Sequence, residues 1–423
     1  MHLSESGNQN NRKIVLVIMV FFLIQVLTIA LYSNNWYLGS FEKMDNDDVK
    51  YIRSAWVLLE SQMFTYHDIN KPTVFIMPGY PFILAFFMNI FGKLSGIVAV
   101  RLFQGVLQTI SLYLIYKICK ELFNEKVALI AIVIDTLYIP EAVSTVLILT
   151  ETVFKFLLIL LIYITIKALK TKSMKYYFAG GVVWALSVMV RPTIALFPVV
   201  VFTMWLVYHY SIREMIVRTS LVLGIFFLIM FPWWIRNYNV FDRVIPFTLS
   251  SGNPFLQGTY INYNQSVGYT GYDYSDDPII RDKDELDAGK QRLILNFRQN
   301  PIGYIYWYSI GKTLYFWLAP YYYKSAFGIP ILLVGIYHIS LLILALTGMI
   351  RLKYIKNNSI LFLMLVVLYF TVVYLPYYTC SRYAYPVMPY IIILASNTLY
   401  TLAKNHNTKS LEEYKADSKR LQS

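Results

Sequence analysis

The chain is short of charge. Asp, Glu, Lys and Arg make up only 14% of its 423 residues, against roughly 25% in an ordinary soluble domain. That deficit argues against a soluble globular protein. Cysteine is scarce too: Cys119 and Cys380 are the only two. They map to opposite membrane faces in the span reading below, so a disulfide between them is excluded, and they read as packing residues. The five histidines show no pairing that suggests a metal site; His67 is the only one in the first outer loop. There is no Walker loop, no dinucleotide fingerprint and no nucleophile elbow. Internal repeats and low-complexity tracts are also missing.

What the chain has in quantity is apolar length. Hydrophobic residues reach 57% and aromatics 17%, and the mean hydropathy is +0.51. Runs of the ~20 residues that cross a bilayer recur along the chain. Ten candidates fall near 14–32, 96–118, 127–143, 149–169, 177–191, 193–209, 216–235, 328–350, 359–377 and 383–403. The expected fold class is therefore an all-α polytopic membrane protein of about ten transmembrane helices with outward-facing juxtamembrane helices.

Basic residues collect in alternate connections: Arg12 and Lys13; Lys117, Lys120 and Lys126; Lys167, Lys170, Lys172 and Lys175; Arg213 and Arg218; Arg351, Lys353 and Lys356. The positive-inside rule makes these connections and both termini cytoplasmic, and an even span count agrees. The expected location is the plasma membrane, multi-pass. The net charge of +13 then reports orientation and contact with anionic membrane lipids. Nucleic acid is a poor reading, since no basic patch on a recognition fold is present to bind it. The first apolar run lacks a small-residue cleavage motif after it and reads as a retained anchor.

Two regions face outward in this map. The first, 33–95, holds an amphipathic helix over Tyr51–Met63 with Ile52, Ala55, Trp56 and Leu59 on one face. Pro78-Gly79-Tyr80-Pro81 follows, then the apolar run Phe82–Phe91, too short to span. The second, 236–327, has an acidic middle, Asp273 to Asp287, that reads as a loop. Asp284 to Phe297 reads as a short helix, and the aromatic stretch Ile302–Leu318 as a segment along the membrane surface. The organisation expected is 1–235 as a transmembrane module with the first outer loop, 236–327 as an outer loop, 328–403 as C-terminal spans and 404–423 as a cytoplasmic tail.

Three constellations could carry chemistry. Asp45, Asp47 and Asp48 form an acidic cluster in the first outer loop. Its Asp-x-Asp pattern suggests a metal on a nucleotide sugar, but nucleotide sugars are cytoplasmic and this motif faces out. A catalytic base that takes the proton of an acceptor hydroxyl fits better; a solvated acidic loop is the bland alternative. Thr150-Glu151 opens a later span, where Thr150 as helix N-cap and Glu151 in the first turn would explain both by capping alone. Arg101, Arg191, Arg236 and Arg382 sit at outer span ends, where the positive-inside bias should deplete them. Snorkelling or ion pairing explains any one; their convergence suggests an anion, and the forked guanidinium suits phosphate. The aromatics from Tyr304 to Tyr323 could stack on sugar rings, although an interfacial belt is the simpler account.

Taken in order, several stretches resemble a known family. They are Asp47-Asp48-x-x-Tyr51 with Ala55 and Leu58-Leu59, Pro78-Gly79-Tyr80-Pro81, Arg101-Leu102-Phe103-Gln104 and Leu149-Thr150-Glu151. Arg191-Pro192-Thr193, Pro232 through Tyr238, and Arg382-Tyr383-x-x-Pro386-x-x-Pro389 complete the set. The pattern is similar to GT-C glycosyltransferases of the family 39 and aminoarabinose-transferase type, relatives of the protein mannosyltransferases. The resemblance implies a GT-C-type bundle, a polyprenyl-phosphate sugar donor, an active site at the outer leaflet and a hexosyl- or pentosyltransferase activity. It implies Asp47 as general base, Asp48 in place of a Glu that often follows it, and Glu151 as the second acidic residue. Tyr51, Tyr80 and Tyr383 would contact acceptor or sugar. The family's Lys-Pro-Pro element is replaced by Pro-Gly-Tyr-Pro, with Lys71-Pro72 upstream.

A polyprenyl phosphate leaves readily once arginine neutralises it. The expected tasks are therefore to align the acceptor, remove its proton and stabilise phosphate charge, through an oxocarbenium-like transition state with inversion. No cofactor is demanded, and a divalent cation is left open. The acceptor would be an envelope glycan, a lipid or a protein. A polymerase or ligase of lipid-linked glycans is the nearer rival. A non-enzymatic lipid-glycan transporter would instead place its polar residues and broken helices near the bilayer midplane.

Overall fold

A computed structural model describes the backbone of residues 2–34, 36–264, 275, 277–350 and 358–420, and side chains within 11–405 of these. Helix dominates. The first half runs α1 (His2–Tyr32), α2 (Asp47–Ser61), α3 (Gly79–Phe91), α4 (Lys93–Leu122), α5 (Glu125–Thr136), α6 (Pro140–Val146), α7 (Glu151–Thr171), α8 (Met174–Val190), α9 (Pro198–Val207) and α10 (Ile212–Phe241). The second runs α11 (Gly252–Gly258), α12 (Pro278–Gln299), α13 (Pro301–Tyr306), α14 (Lys312–Trp317), α15 (Ile331–Ile350), α16 (Asn358–Tyr374), α17 (Ser381–Ala384) and α18 (Met388–Arg420).

All ten apolar runs fall on helices, but not all are full spans. Among the described residues, six helices are long and apolar enough to cross a membrane. A seventh forms if α5 and α6, which meet at a 57° bend, count together. The runs near 177–191, 193–209 and 359–377 give shorter helices, Met174–Val190, Pro192–Val207 and Asn358–Tyr374. Pro192 and Pro198 break the second of these; proline removes a donor and clashes with the preceding turn.

The chain is a multi-pass membrane protein. Its lipid-facing surface is apolar, with Leu23 63% and Leu228 74% exposed, as a bundle whose solvent is hydrocarbon requires. The core lies between α4, α5, α7, α8 and α18, and α2 and α3 cap one end of it.

Local chemistry sets the site-bearing elements. Asn46 caps α2, its side chain accepting from the Asp47 amide at 2.7 Å, and Asp47 and Asp48 then lie in the first turn, where negative charge favours the helix dipole. Val49, Tyr51, Ile52 and Ala55 are the buried face of α2; the helix begins four residues before the amphipathic stretch expected from Tyr51. Leu59, expected on that face, is 38% exposed. Gly79 opens α3 against the end of α8, where a Cβ would lie 2.6 Å from the Met189 carbonyl oxygen, so no side chain fits. α12 starts at Pro278, inside the stretch expected to be loop. Asp277 accepts from the Ile279 amide at 2.7 Å, and an acidic N-cap followed by proline is a strong helix start. Residues 265–274 and 276 of the expected loop lie outside the described residues.

Candidate active site at one end of the bundle

Four charged side chains, each from a separate element, form a continuous chain. Arg382 Nη1 donates to Asp47 Oδ2 at 2.7 Å, and its Nε donates to Glu151 Oε1. Arg191 Nη2 donates to the same Glu151 oxygen. The order is Asp47, Arg382, Glu151, Arg191: two carboxylates and two guanidiniums, with no net charge. Glu151 is 1% exposed, while the Asp47 side chain is 39% exposed. Glu151 Oε2 has no hydrogen-bond partner, so one lone-pair edge of this buried carboxylate is unfilled.

Proline places the first arginine. Pro192 disfavours helical geometry at the residue before it. Arg191 accordingly ends α8 in an extended conformation, φ −144° and ψ 116°, beside the first turn of α7. Thr150 does not cap α7 with its side chain, a correction to the capping expected from sequence. Its hydroxyl accepts instead from Arg191 Nε at 2.8 Å. Arg382 lies in α17, a single turn that continues through a 3₁₀ turn at Tyr385–Val387 into α18.

Aromatic rings wall this chain. Tyr66 donates its hydroxyl to Asp47 Oδ1 at 2.6 Å. Burial works against ionisation of Asp47, but Arg382, the Tyr66 hydrogen bond and Lys50 outweigh it and hold the carboxyl below the usual range. Burial, and then the Asp47 charge, push the Tyr66 hydroxyl well above its ordinary value, so it stays a donor. Tyr51 packs against Tyr66 and Tyr80, with ring centroids at 5.4 and 5.3 Å. Tyr383 stacks on Tyr374 at 4.9 Å, with the Arg191 guanidinium 5.3 Å from its ring. Tyr80 is fully buried and donates to Gln104 Oε1 at 2.9 Å, so its hydroxyl is already engaged.

The remaining candidates stand apart from this chain. Asp48 is fully buried; its oxygens accept from the Leu38, Gly39 and Val49 amides at 2.5, 3.1 and 2.9 Å. That carboxylate clamps the preceding turn. Asp45 accepts from the Ser40 amide at 2.9 Å at the exposed rim. Arg101, also fully buried, donates to the carbonyls of Val146 at 2.8 Å, Trp36 at 3.3 Å and Ser33. Arg236 donates to Thr73 O at 2.7 Å and Phe64 O at 3.4 Å. Both brace loops by donating to their backbone carbonyls. The four arginines therefore divide into two in the charged chain and two that tie loops to helices.

Sequence reasoning missed a second charged group. Lys155, one turn into α7 from Glu151, forms a fully buried ion pair with Glu141. Tyr385 donates to Glu141 Oε2 at 2.9 Å, and its own oxygen accepts from Gln108 Nε2 at 2.8 Å. A lysine inside an apolar run was the available signal. Tyr66, one of 37 tyrosines, offered none. Among the described residues, no group of three or more His, Cys, Asp or Glu side chains is placed to hold a metal ion.

Comparison with known proteins agrees with this architecture. Residues 70–235 match the family described as dolichyl-phosphate-mannose-protein mannosyltransferase. No curated protein matches the chain. The fold is similar to the oligosaccharyltransferase AglB of Archaeoglobus fulgidus in complex with an inhibitory peptide and a dolichol-phosphate, with TM-score 0.58 and 11% identity over 97% of this chain and 52% of that one. The apo form from the same organism gives TM-score 0.56 and 12% identity over 96% and 52%. ArnT from Cupriavidus metallidurans bound to undecaprenyl phosphate gives 0.46 and 11% over 91% and 59%. The chain spans about half the length of the oligosaccharyltransferases it matches. The chain shares the fold of these oligosaccharyltransferases, in line with the GT-C-type bundle expected.

Proposed function

We propose that this protein transfers a sugar from a polyprenyl-phosphate donor to an acceptor hydroxyl at the outer face of the membrane, with inversion. The observation that carries the reading is the Asp47–Arg382–Glu151–Arg191 chain at one end of the bundle. The family match over residues 70–235 supports it, as does the opposite end of α7, where Lys167 and Lys170 pair with Glu121. Twenty-one helical residues separate the two ends by roughly 30 Å, a bilayer core, and the basic end is cytoplasmic by the positive-inside rule.

Each residue then has a task. Arg191 and Arg382 turn guanidinium edges toward the donor phosphate and neutralise it as it leaves. Glu151 touches neither sugar nor acceptor; it positions both arginines. Asp47, half-exposed and in reach of solvent, takes the acceptor proton. In the ion pair with Arg382 it is a weak base. A phosphate that draws Arg382 away releases the carboxylate and raises its basicity, so donor binding arms the base.

The test is transfer from a lipid-linked sugar by purified protein in nanodiscs. Asp47→Asn keeps size and polarity but cannot accept the proton, so turnover should fall by roughly 10²–10⁴-fold while donor binding survives. Wild-type turnover in that variant would overturn the assignment, and a wild-type protein that turns over no lipid-linked sugar would overturn the function.

A further inference from the structure

The segment between α10 and α15 carries a cavity of about 350 Å³ at the C-terminal half of α12. We propose that it is a saccharide-binding subsite that holds the acceptor, an identity that rests on the transferase reading above.

The lining is the first argument. Side-chain amides of Asn262, Asn264, Asn296 and Gln299 surround the cavity together with Arg292 and Tyr304, and no carboxylate takes part. An amide offers donors and an acceptor on one planar group, the complement of the paired donor and acceptor on a sugar hydroxyl. A phosphate site would gather several cations, and a lipid site would lack the amides; here a largely apolar surface is edged by amides and one guanidinium, the complement of a sugar ring with apolar faces and a polar rim. The volume lies within the range of small-molecule sites, about 300–1,000 Å³.

The wall is also held in shape. Asn262 and Tyr263 have φ of 54° and 55°, a left-handed conformation that is a genuine outlier for a bulky residue such as tyrosine. Such a conformation persists where the surroundings over-determine it, and it concentrates at ligand sites. Here the Tyr263 hydroxyl meets Thr379 Oγ1 at 2.5 Å and accepts from the Thr379 amide at 2.7 Å, and its ring packs on Trp307 and Tyr378 at 5.0 and 4.5 Å. The Arg292 guanidinium lies 3.7 Å from the Tyr260 ring centroid, and the buried Tyr304 donates to Thr259 O at 2.8 Å.

The same anchor ties the cavity to the charged chain. Thr379 precedes Arg382 by three residues, which span at most roughly 10 Å of chain. The anchor therefore joins the wall of the cavity to the segment that carries Arg382.

Saturation-transfer NMR on the full chain in nanodiscs tests this, with trisaccharides of glucose, mannose, galactose and N-acetylglucosamine as probes. Asn262 and Gln299 are exposed, and glycine accepts the left-handed backbone at 262, so Asn262→Gly and Gln299→Leu leave the fold intact, checked by an unchanged melting temperature. The wild type should transfer saturation to at least one probe. The Asn262→Gly/Gln299→Leu double variant should bind that probe roughly tenfold more weakly, as loss of neutral hydrogen bonds implies, and Asp47→Asn should bind it normally. Silence from the whole panel, or an undiminished signal in the double variant, overturns the subsite. Saccharide binding lost in the double variant, in a protein that never turns over a lipid-linked sugar, would leave the subsite standing and sink the transferase reading. Turnover with no probe bound would do the reverse.

Discussion

Arg382 donates to Asp47 across 335 residues of sequence at 2.7 Å, joining the first turn of α2 to α17. The same guanidinium reaches Glu151, so one side chain links the three regions that would have to meet around a donor phosphate. Breaking this link separates two kinds of arginine. Arg191→Ala and Arg382→Ala should each weaken binding of undecaprenyl phosphate, and Lys should rescue only in part because it lacks the fork. Arg101→Ala and Arg236→Ala should lower the melting temperature and leave affinity in the folded fraction unchanged. Equal loss of affinity in all four would show that the loop braces also contact phosphate.

The pH dependence follows from Asp47. Its carboxyl is held below its ordinary 3.8 because Arg382, Tyr66 and Lys50 outweigh burial. The ionised form is complete above that value and is lost as pH falls through the lowered one, so the acid limb of kcat/KM, which reports the free enzyme, should lie below about pH 4. The limb of kcat reports the donor complex. There Arg382 is shared with phosphate and burial dominates, so that limb should sit at higher pH. Coincident limbs in the two profiles would show that donor binding does not release the base.

Much of the fold was legible because apolar runs and basic connections are periodic, local signals. The three short helices were not, since their lengths are set by Pro192, Pro198 and packing rather than by hydropathy alone. At the site, Asp47 and Glu151 were legible as carboxylates at span ends, where charge is rare. The division among the arginines was not. Arg101 and Arg191 look alike in sequence, and what separates them is which carbonyls and carboxylates the tertiary structure leaves in need of a donor. Asp48 shows the same limit: beside Asp47 in the chain, it points about 100° further around the helix and serves the backbone of Leu38 and Gly39.

The proposed orientation has a direct check. In a background with Cys119→Ser and Cys380→Ser, a Ser275→Cys variant should react with a membrane-impermeant maleimide on intact cells. Lys126→Cys should react only after permeabilisation. The reverse pattern would turn the bundle over and place the Asp47 chain on the cytoplasmic side, where a lipid-linked donor facing outward could not reach it.

The Lys155–Glu141 pair predicts a stability effect distinct from catalysis. Both side chains are fully enclosed, and Glu141 also accepts from Tyr385. Lys155→Met alone leaves the glutamate buried with the hydroxyl as its remaining partner, which for a buried pair costs about 3–5 kcal/mol. Replacing both partners removes the uncompensated charge. Lys155→Met/Glu141→Leu should therefore recover most of the melting temperature lost in the single variant, a coupling that additive effects would not produce. The double variant should keep the Asp47–Arg382–Glu151–Arg191 chain and bind undecaprenyl phosphate normally, because none of those contacts involves Lys155. Additive losses would show that the two residues hold the helices through separate contacts. Lost lipid binding in a double variant with a restored melting temperature would show that the buried pair positions Glu151 through the first turns of α7.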